Sequence, residues 1–290
     1  MSAHRSGSII GVNGAPPSDE GLLAAARAGD RLALETLLER DQGEVYRFGM
    51  KMCRDPEDAK DVLQDTLLAM ARGVRDFRGA SSISTWLYTI ARSFCIKKRR
   101  RSQFAPEAER SLDTDVALEA KQVVAPGRAP DEAVAGKAVE HALEEAIAAL
   151  DPMYREVLLL RDVKGLTAPE VAEVLGVSTD AVKSRLHRAR IAVRERVAPL
   201  LGIGPEATGP EGTCPDVLMI FSQHLENEIS AEQCGNMERH LEGCARCRGT
   251  CDSLKRTLAL CRTTEASVPV PAAVQASVKK ALRSFLSDRG

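Results

Sequence analysis

The 290-residue sequence predicts an all-α protein made of two small helical domains, a bundle and a helix-turn-helix, followed by a smaller helical domain that holds most of the cysteines. Three observations predict it. Apolar residues recur at spacings of three and four from Leu22 onward, helix-start signals precede several of these runs, and no segment alternates with the period of two that a half-buried strand requires. Segments rich in Gly and Pro separate the helical stretches, and no internal repeat is present.

Residues 1–20 carry Gly, Ser and the Pro16-Pro17 pair and are expected to be disordered. The first domain spans 21–101. Its early core positions are Leu22, Leu23, Ala26, Leu34, Leu37, Leu38, Val45, Phe48 and Met52. Asp55-Pro56-Glu57-Asp58 is a helix start, with a capping carboxylate, Pro at the first helical position and acids at the positive end of the dipole. In the helix it opens, Val62, Leu63, Thr66, Leu67 and Met70 share one face, while Asp58, Asp61 and Asp65 line another. That acidic face reads either as a docking surface or as plain solvated surface.

Five of the ten aromatic residues, Phe77, Trp86, Tyr88, Phe94 and Phe104, lie within the next stretch, which ends in Lys97, Lys98, Arg99, Arg100 and Arg101. Rings stack on bases at about 1–3 kcal/mol each while Lys and Arg neutralise phosphates, a pairing that suits single-stranded nucleic acid. Trp86, Leu87, Ile90 and Phe94 fit one helical stripe, so Trp86 is expected in the core, leaving base stacking to the 79–85 loop and to exposed rings such as Tyr88.

Residues 102–135 lose periodicity, contain Pro106, Pro126, Gly127 and Pro130, and form an acidic linker, with helices resuming near Lys137. The second domain spans 136–200. Thr167-Ala168-Pro169-Glu170 is a capping box, Val171, Ala172 and Leu175 point inward, Gly176 makes the turn, and a second helix begins at Ser178 with Val182, Leu186, Ala189 and Val193 inside. This is the helix-turn-helix pattern. Ser178, Thr179, Asp180, Lys183 and Ser184 would face base edges, and Arg185, Arg188 and Arg190 would reach phosphates. A helical hairpin with a solvated basic face is the plainer alternative.

A second linker covers 201–212, and the third domain runs over 213–262. Cys214 is followed by 25 residues and then by His240, Cys244 and Cys247. Zinc needs four converging N or S ligands at about 2.0–2.3 Å. In one unbroken helix His240 and Cys247 would stand about 10.5 Å apart along the axis. Gly243 removes the difficulty by ending a helix, so that Cys244 and Cys247 begin the next one, and the site suits zinc or another soft metal. Inert buried thiols are the alternative. Cys234, Cys251 and Cys261 are surplus to one tetrahedral site, as further ligands or disulfide partners. The tail, 263–290, ends in an amphipathic helix with Val274, Val278, Ala281, Leu282 and Phe285 on one face, to dock on its own domain or on the two before it.

The net charge of −1 conceals a division: residues 1–101 carry 17 basic against 13 acidic residues, and residues 102–135 carry 3 against 7. No apolar run resembles a signal peptide or reaches the ~20 residues of a membrane span, so a cytoplasmic protein is expected. In that compartment cysteines read as metal ligands or redox thiols.

The run Asp55-Pro-Glu-Asp-Ala-Lys-Asp-Val-Leu-Gln-Asp-Thr, then Phe77-Arg-Gly and Ser84-Thr-Trp-Leu-Tyr-Thr-Ile-Ala-Arg, resembles region 2 of extracytoplasmic-function (ECF) sigma factors. Ala149-Leu-Asp-Pro-Met-Tyr-Arg-Glu-Val-Leu-Leu-Leu, continuing through Lys183-Ser-Arg-Leu-His-Arg-Ala-Arg, resembles their region 4. The resemblance covers about residues 20 to 200. It implies a non-enzymatic subunit that gives RNA polymerase its promoter specificity. Asp58, Asp61, Gln64 and Asp65 would bind the clamp helices of the polymerase largest subunit. The segment from Gly79 to Arg101 would open and read the −10 element, with Ser81, Ser82, Ser84, Tyr88, Arg92, Lys97, Lys98, Arg99 and Arg100 as contacts, and the helix from Ser178 would read the −35 element. Ser93 and Lys97 depart from the family's usual Asn and nearby Asp, so no −10 base preference carries over. Residues 214–262 resemble the zinc-binding anti-sigma fold, whose ligands match Cys214, His240, Cys244 and Cys247, fused here to the factor it would control as an intramolecular metal- or redox-sensing regulator. Two other classes compete. An ordinary helix-turn-helix regulator has no use for the acidic helix, and a thiol oxidoreductase on Cys244 and Cys247 would need a βαβ context that the sequence lacks.

Overall fold

The computed structural model describes residues 17–79, 81–104, 130–201, 214–263 and 269–287, and every regular element among them is a helix. Of residues 1–20, expected to be disordered, 1–16 lie outside the described residues, as do most of the two expected linkers, whereas Asp19 and Glu20 correct the expectation by opening the first helix behind a Ser18 cap.

The first four helices form a bundle: α1 (Asp19–Arg27), α2 (Arg31–Cys53), α3 (Pro56–Gly73) and α4 (Ile83–Phe104). Each of the first three starts on a side-chain cap. Ser18 Oγ accepts from Gly21 N–H at 3.2 Å, Asp30 Oδ1 from Leu32 N–H at 2.9 Å, and Asp55 Oδ1 from Asp58 N–H at 2.7 Å, as a sequence with Asp-Pro at a helix start requires. Leu37, Leu38, Val45, Phe48, Val62, Leu63, Leu67, Met70 and Leu87 fill the space between them. Each such side chain is worth about 1.5–3 kcal/mol when withdrawn from water. Helices α2 and α3 meet closely at Gly49, where a Cβ would stand 3.2 Å from Ala59 Cα.

Then come α5 (Pro130–Ala148), α6 (Pro152–Leu158), which continues as a π-helical turn over Leu159–Val163, α7 (Ala168–Leu175) and α8 (Thr179–Val197). Helix α5 starts seven residues before Lys137, inside the expected linker. Pro130 at its first position followed by Asp131 and Glu132 is itself a helix start, a signal outweighed in the sequence reading by the prolines and lost periodicity before it. The Thr167 capping box with Glu170 opens α7, and Gly176 closes it at φ +66°, the left-handed conformation that lets α8 begin three residues on.

The third unit is α9 (Val217–Leu225), α10 (Ala231–Gly243) and α11 (Ala245–Thr263), around a small core of Val217, Phe221, Met237, Leu254 and Leu258. Helix α12 (Ala272–Ser287) crosses to the first bundle and buries Val278 and Leu282 against α3, with Lys279 Nζ 2.8 Å from Glu39 and Arg72 over the Phe285 ring at 5.3 Å. Of the two docking modes open to the tail helix, it takes the one on the preceding domains. Helix α4 packs on α7, and α9 and α11 pack on α8, so one apolar core runs through both large domains and reaches Cys261 of α11 and Val278 and Leu282 of the tail.

Candidate nucleic-acid interfaces and metal centre

The acidic face of α3 is where the sequence put it. Asp61 and Asp65 are exposed and Asp58 and Gln64 half-buried. Lys98, from the basic end of α4, lies 3.3 Å from Asp58 and also pairs with Asp61. Partly solvated pairs of this kind are worth little, about 0–1 kcal/mol.

Along the basic segment, Ser84, Lys97 and Arg100 are exposed, and Lys97 covers the Phe94 ring at 4.9 Å. Ser81 is half-buried, and Ser82 Oγ donates to Glu170 Oε1 of α7 at 3.0 Å. Arg92 Nε lies 2.9 Å and Arg99 3.8 Å from the carboxylate of Glu156, which is 4% exposed. Tyr88 corrects the expectation of an exposed stacking ring. It is 1% exposed, packs on Phe48 at 5.3 Å and donates its hydroxyl to Glu44 at 2.7 Å. Position 88 shares the inward face of α4 with Leu87 and Ala91, and the phenol finds a half-buried acceptor in Glu44. Trp86 is half-buried and stacked on Phe77 at 4.7 Å, between core and surface.

In the helix-turn-helix, Ser178 caps α8 by accepting from Ala181 N–H at 3.2 Å. Asp180, Ser184 and Arg188 are exposed, and Thr179 and Arg185 are partly exposed. Arg188 also reaches the Tyr154 hydroxyl at 3.3 Å. The flank made by Lys183, His187, Arg190 and Arg194 is covered by the third unit. Lys183 Nζ lies 3.3 Å from Glu228, His187 is bracketed by Ser222 Oγ and Glu228 Oε2, both at 2.8 Å, and Arg194 Nε donates to Ser253 at 2.7 Å. Arg190 is the second correction. Expected on phosphates, it is 2% exposed and binds Asp162 at 2.6 Å and Glu226 at 2.7 Å, with Ser222 as a third partner. Two buried carboxylates from different elements converge on it, and a guanidinium so paired has no free face for a phosphate. Sequence spacing assigned α8 a basic stripe but held no sign of Glu156, Ser222, Glu226 or Glu228, because these act across 30 residues or more.

The cysteine motif forms a compact centre. A sulfur each from Cys214, Cys244 and Cys247 and a ring nitrogen of His240 all lie within 4.8 Å of one another. Helix α10 ends at Gly243, Cys244 caps it, and Cys247 sits in the first turn of α11, the break that the spacing demanded. The Cys247 backbone N–H holds the Cys244 thiol below its ordinary range, and burial pushes Cys247 up to about 12. His240 Nε2 is buried without a hydrogen-bond partner, which an imidazole tolerates when a metal takes its lone pair. Three thiols and one imidazole form a closed donor set for a metal ion. Cys234, Cys251 and Cys261 stand outside it. Cys234 faces His224 and Glu238, while Cys251 and Cys261 are each 1% exposed within apolar packing.

Comparison with known proteins agrees with this layout. Residues 37–104 match the family model "Sigma-70 region 2", residues 140–193 match "Sigma-70, region 4", and residues 214–248 match "Putative zinc-finger". The chain is similar to the ECF RNA polymerase sigma factor SigM of Mycobacterium tuberculosis, 35% identical over 185 residues that cover 64% of this chain and 85% of that one. It is 27% identical over 179 residues to the ECF RNA polymerase sigma factor SigW of Bacillus subtilis, covering 60% of this chain and 94% of that one. A solved structure of the sigma factor RpoE in complex with the anti-sigma factor NepR from Bartonella quintana aligns with 59% of this chain and 98% of that one, at 22% identity and a TM-score of 0.45. The chain belongs to the ECF sigma factors of bacterial RNA polymerase. It is therefore a non-enzymatic transcription initiation factor with a metal-binding type of domain at its C-terminal end. Among the described residues no helix is long and apolar enough to cross a membrane.

Proposed function

We propose that this sigma factor is held off promoter DNA by its own C-terminal domain, and that zinc keeps that domain in place. The observation that carries the reading is the clasp of Ser222, Glu226 and Glu228 on Lys183, His187 and Arg190. Carboxylates there occupy cations on the helix read as the −35 reader, so DNA phosphates and the C-terminal domain compete for one surface. Glu156 does the same to Arg92 and Arg99 on the −10 side, from the opposite DNA-binding domain. Asp58, Asp61, Gln64 and Asp65 remain the docking surface for polymerase, and Ser178, Thr179, Asp180, Ser184, Arg185 and Arg188 the contacts to the −35 duplex once α9 has moved. Cys214, His240, Cys244 and Cys247 would hold zinc, and zinc would fix the α10–α11 junction on which the α9 clasp rests.

The test is run-off transcription with core polymerase, comparing the full chain, a chain ending at Leu201, and the full chain carrying Glu226→Gln and Glu228→Gln. Truncation and the double substitution are each expected to raise −35 duplex affinity and promoter output several-fold. Equal output from all three would refute inhibition in cis. Failure of Asp61→Lys with Asp65→Lys to weaken core-enzyme binding would refute the docking assignment separately.

A further inference from the structure

Five consecutive cations, Lys97 to Arg101, lie near the end of α4, and the fold treats them differently. Lys97, Arg100 and Arg101 are exposed. Arg99 lies 3.8 Å from Glu156 of the second domain. Lys98 turns onto α3, where its Nζ stands 3.3 Å from Asp58 and also pairs with Asp61, leaving the lysine side chain 20% exposed. Those two acids belong to the face read as the polymerase dock. A cation of the helix read as the −10 reader therefore occupies acceptors that a protein partner would use.

We propose that Lys98 is a positioning residue that couples the two activities of the first domain: docking of polymerase on Asp58 and Asp61 releases the Lys98 ammonium, and the released ammonium binds a phosphate of the −10 strand. This rests on the docking assignment and extends it to control of the DNA-binding helix. The chemistry is an exchange of ion-pair partners. A protein that recognises an acidic face must bring cations to it, and a cation placed beside Asp58 and Asp61 both takes their oxygens from Lys98 and repels its charge. The side chains of Asp58 and Asp61 are 31% and 53% exposed, so the existing pairs are partly solvated, weak and readily exchanged. Lysine suits the step. Its charge is a compact point on a flexible stem, able to swing from one anion to another without the fixed fork geometry of arginine. Arg99 answers to a separate event, a parting of the two DNA-binding domains that would remove Glu156. Full positive charge along α4 thus requires both that the domains open and that polymerase be docked, so the free factor presents fewer cations to a strand than the docked one.

The test is a double-mutant cycle on the full zinc-loaded chain, read by the anisotropy of a fluorescein-labelled oligothymidylate across a salt series. Asp58→Asn with Asp61→Asn removes both anchors in the absence of polymerase. That change is expected to steepen the log–log salt dependence by about 0.7, one phosphate contact on a single strand, and Lys98→Met in the same chain should cancel the gain. Lys98→Met alone should leave the slope of the free chain unchanged and tighten binding to core polymerase several-fold, because a competitor for the acids is gone. Lys98→Arg, which keeps the charge, should bind core enzyme as the wild type does. A lysine with a merely structural role would move the melting temperature and neither of these readouts. A gain in slope that survives Lys98→Met, or a core affinity that Lys98→Met leaves unmoved or weakens, would overturn the proposal. The docking assignment fails on a different measurement, core binding by the chain carrying Asp61→Lys and Asp65→Lys, and the salt series needs no polymerase, so the two failures are distinguishable.

Discussion

At the scale of single residues, the decisive side chains are charged groups withdrawn from water. Arg190 is 2% exposed and neutralises Asp162 and Glu226, whose side chains are 3% and 2% exposed. Removing one partner of a buried pair strands the other, so Arg190→Ala is expected to cost about 3–5 kcal/mol in urea denaturation, several times more than Arg188→Ala on the exposed face. Asp41 gives a pH signature. Burial, with Glu44 and Asp19 nearby, raises its carboxyl to about 7, and its Oδ2 has no hydrogen-bond partner. The folded chain thus retains a proton that the unfolded chain releases near pH ~4. Stability should be unaffected by this group below that value, fall as pH rises toward about 7, and stay at the lower level above. Asp41→Asn should therefore stabilise the protein by on the order of 2–4 kcal/mol at pH 8 and by nothing at pH 4, as thermal melts at the two pH values would record. Neither effect was legible in the sequence. Arg190 looked like its neighbours Arg185 and Arg188, and only the approach of acidic side chains 28 and 36 positions away distinguishes it.

At the scale of elements, local chemistry was decisive and the sequence legible. Asp55-Pro56 starts α3, Thr167 and Glu170 form the capping box of α7, Gly176 ends it, and Gly243 breaks α10 from α11, each at the position its chemistry required. Gly176 lies at φ +66° with nothing within 4 Å of a prospective Cβ, so Gly176→Ala meets no clash. The expected loss is therefore backbone strain alone, about 1–2 kcal/mol, read as a lowered melting temperature with the helical circular-dichroism signal intact. A loss above ~4 kcal/mol would mean that the turn also carries packing. Tyr88 marks the limit of this legibility. A helical stripe says which positions face one way, but an aromatic at the stripe's edge turns inward or outward according to its neighbours. Here Glu44 and Phe48 of another helix provide an acceptor and a surface.

At the scale of the whole molecule, the three units are closed on one another by a few cross-unit pairs, Arg92 with Glu156, Arg161 with Glu226, Lys183 with Glu228 and Lys279 with Glu39. The third unit has a small core, so its order should depend on the metal centre. Stripping the metal with a chelator should increase the radius of gyration in small-angle scattering and steepen the salt dependence of −35 duplex binding, by about 0.9 in log–log slope for each cation returned to a phosphate. An unchanged radius after complete metal removal would mean that the closure stands without the centre. The sequence by itself determined the helices, their caps, the helix-turn-helix and the four-residue metal set, because these rest on periodicity and on spacings within a turn or two of helix. Only the tertiary structure decided which cations face solvent and which face carboxylates, and where α12 docks. Those outcomes depend on pairs far apart in the chain, whose meeting is set by how the apolar faces stack and carries no local signature.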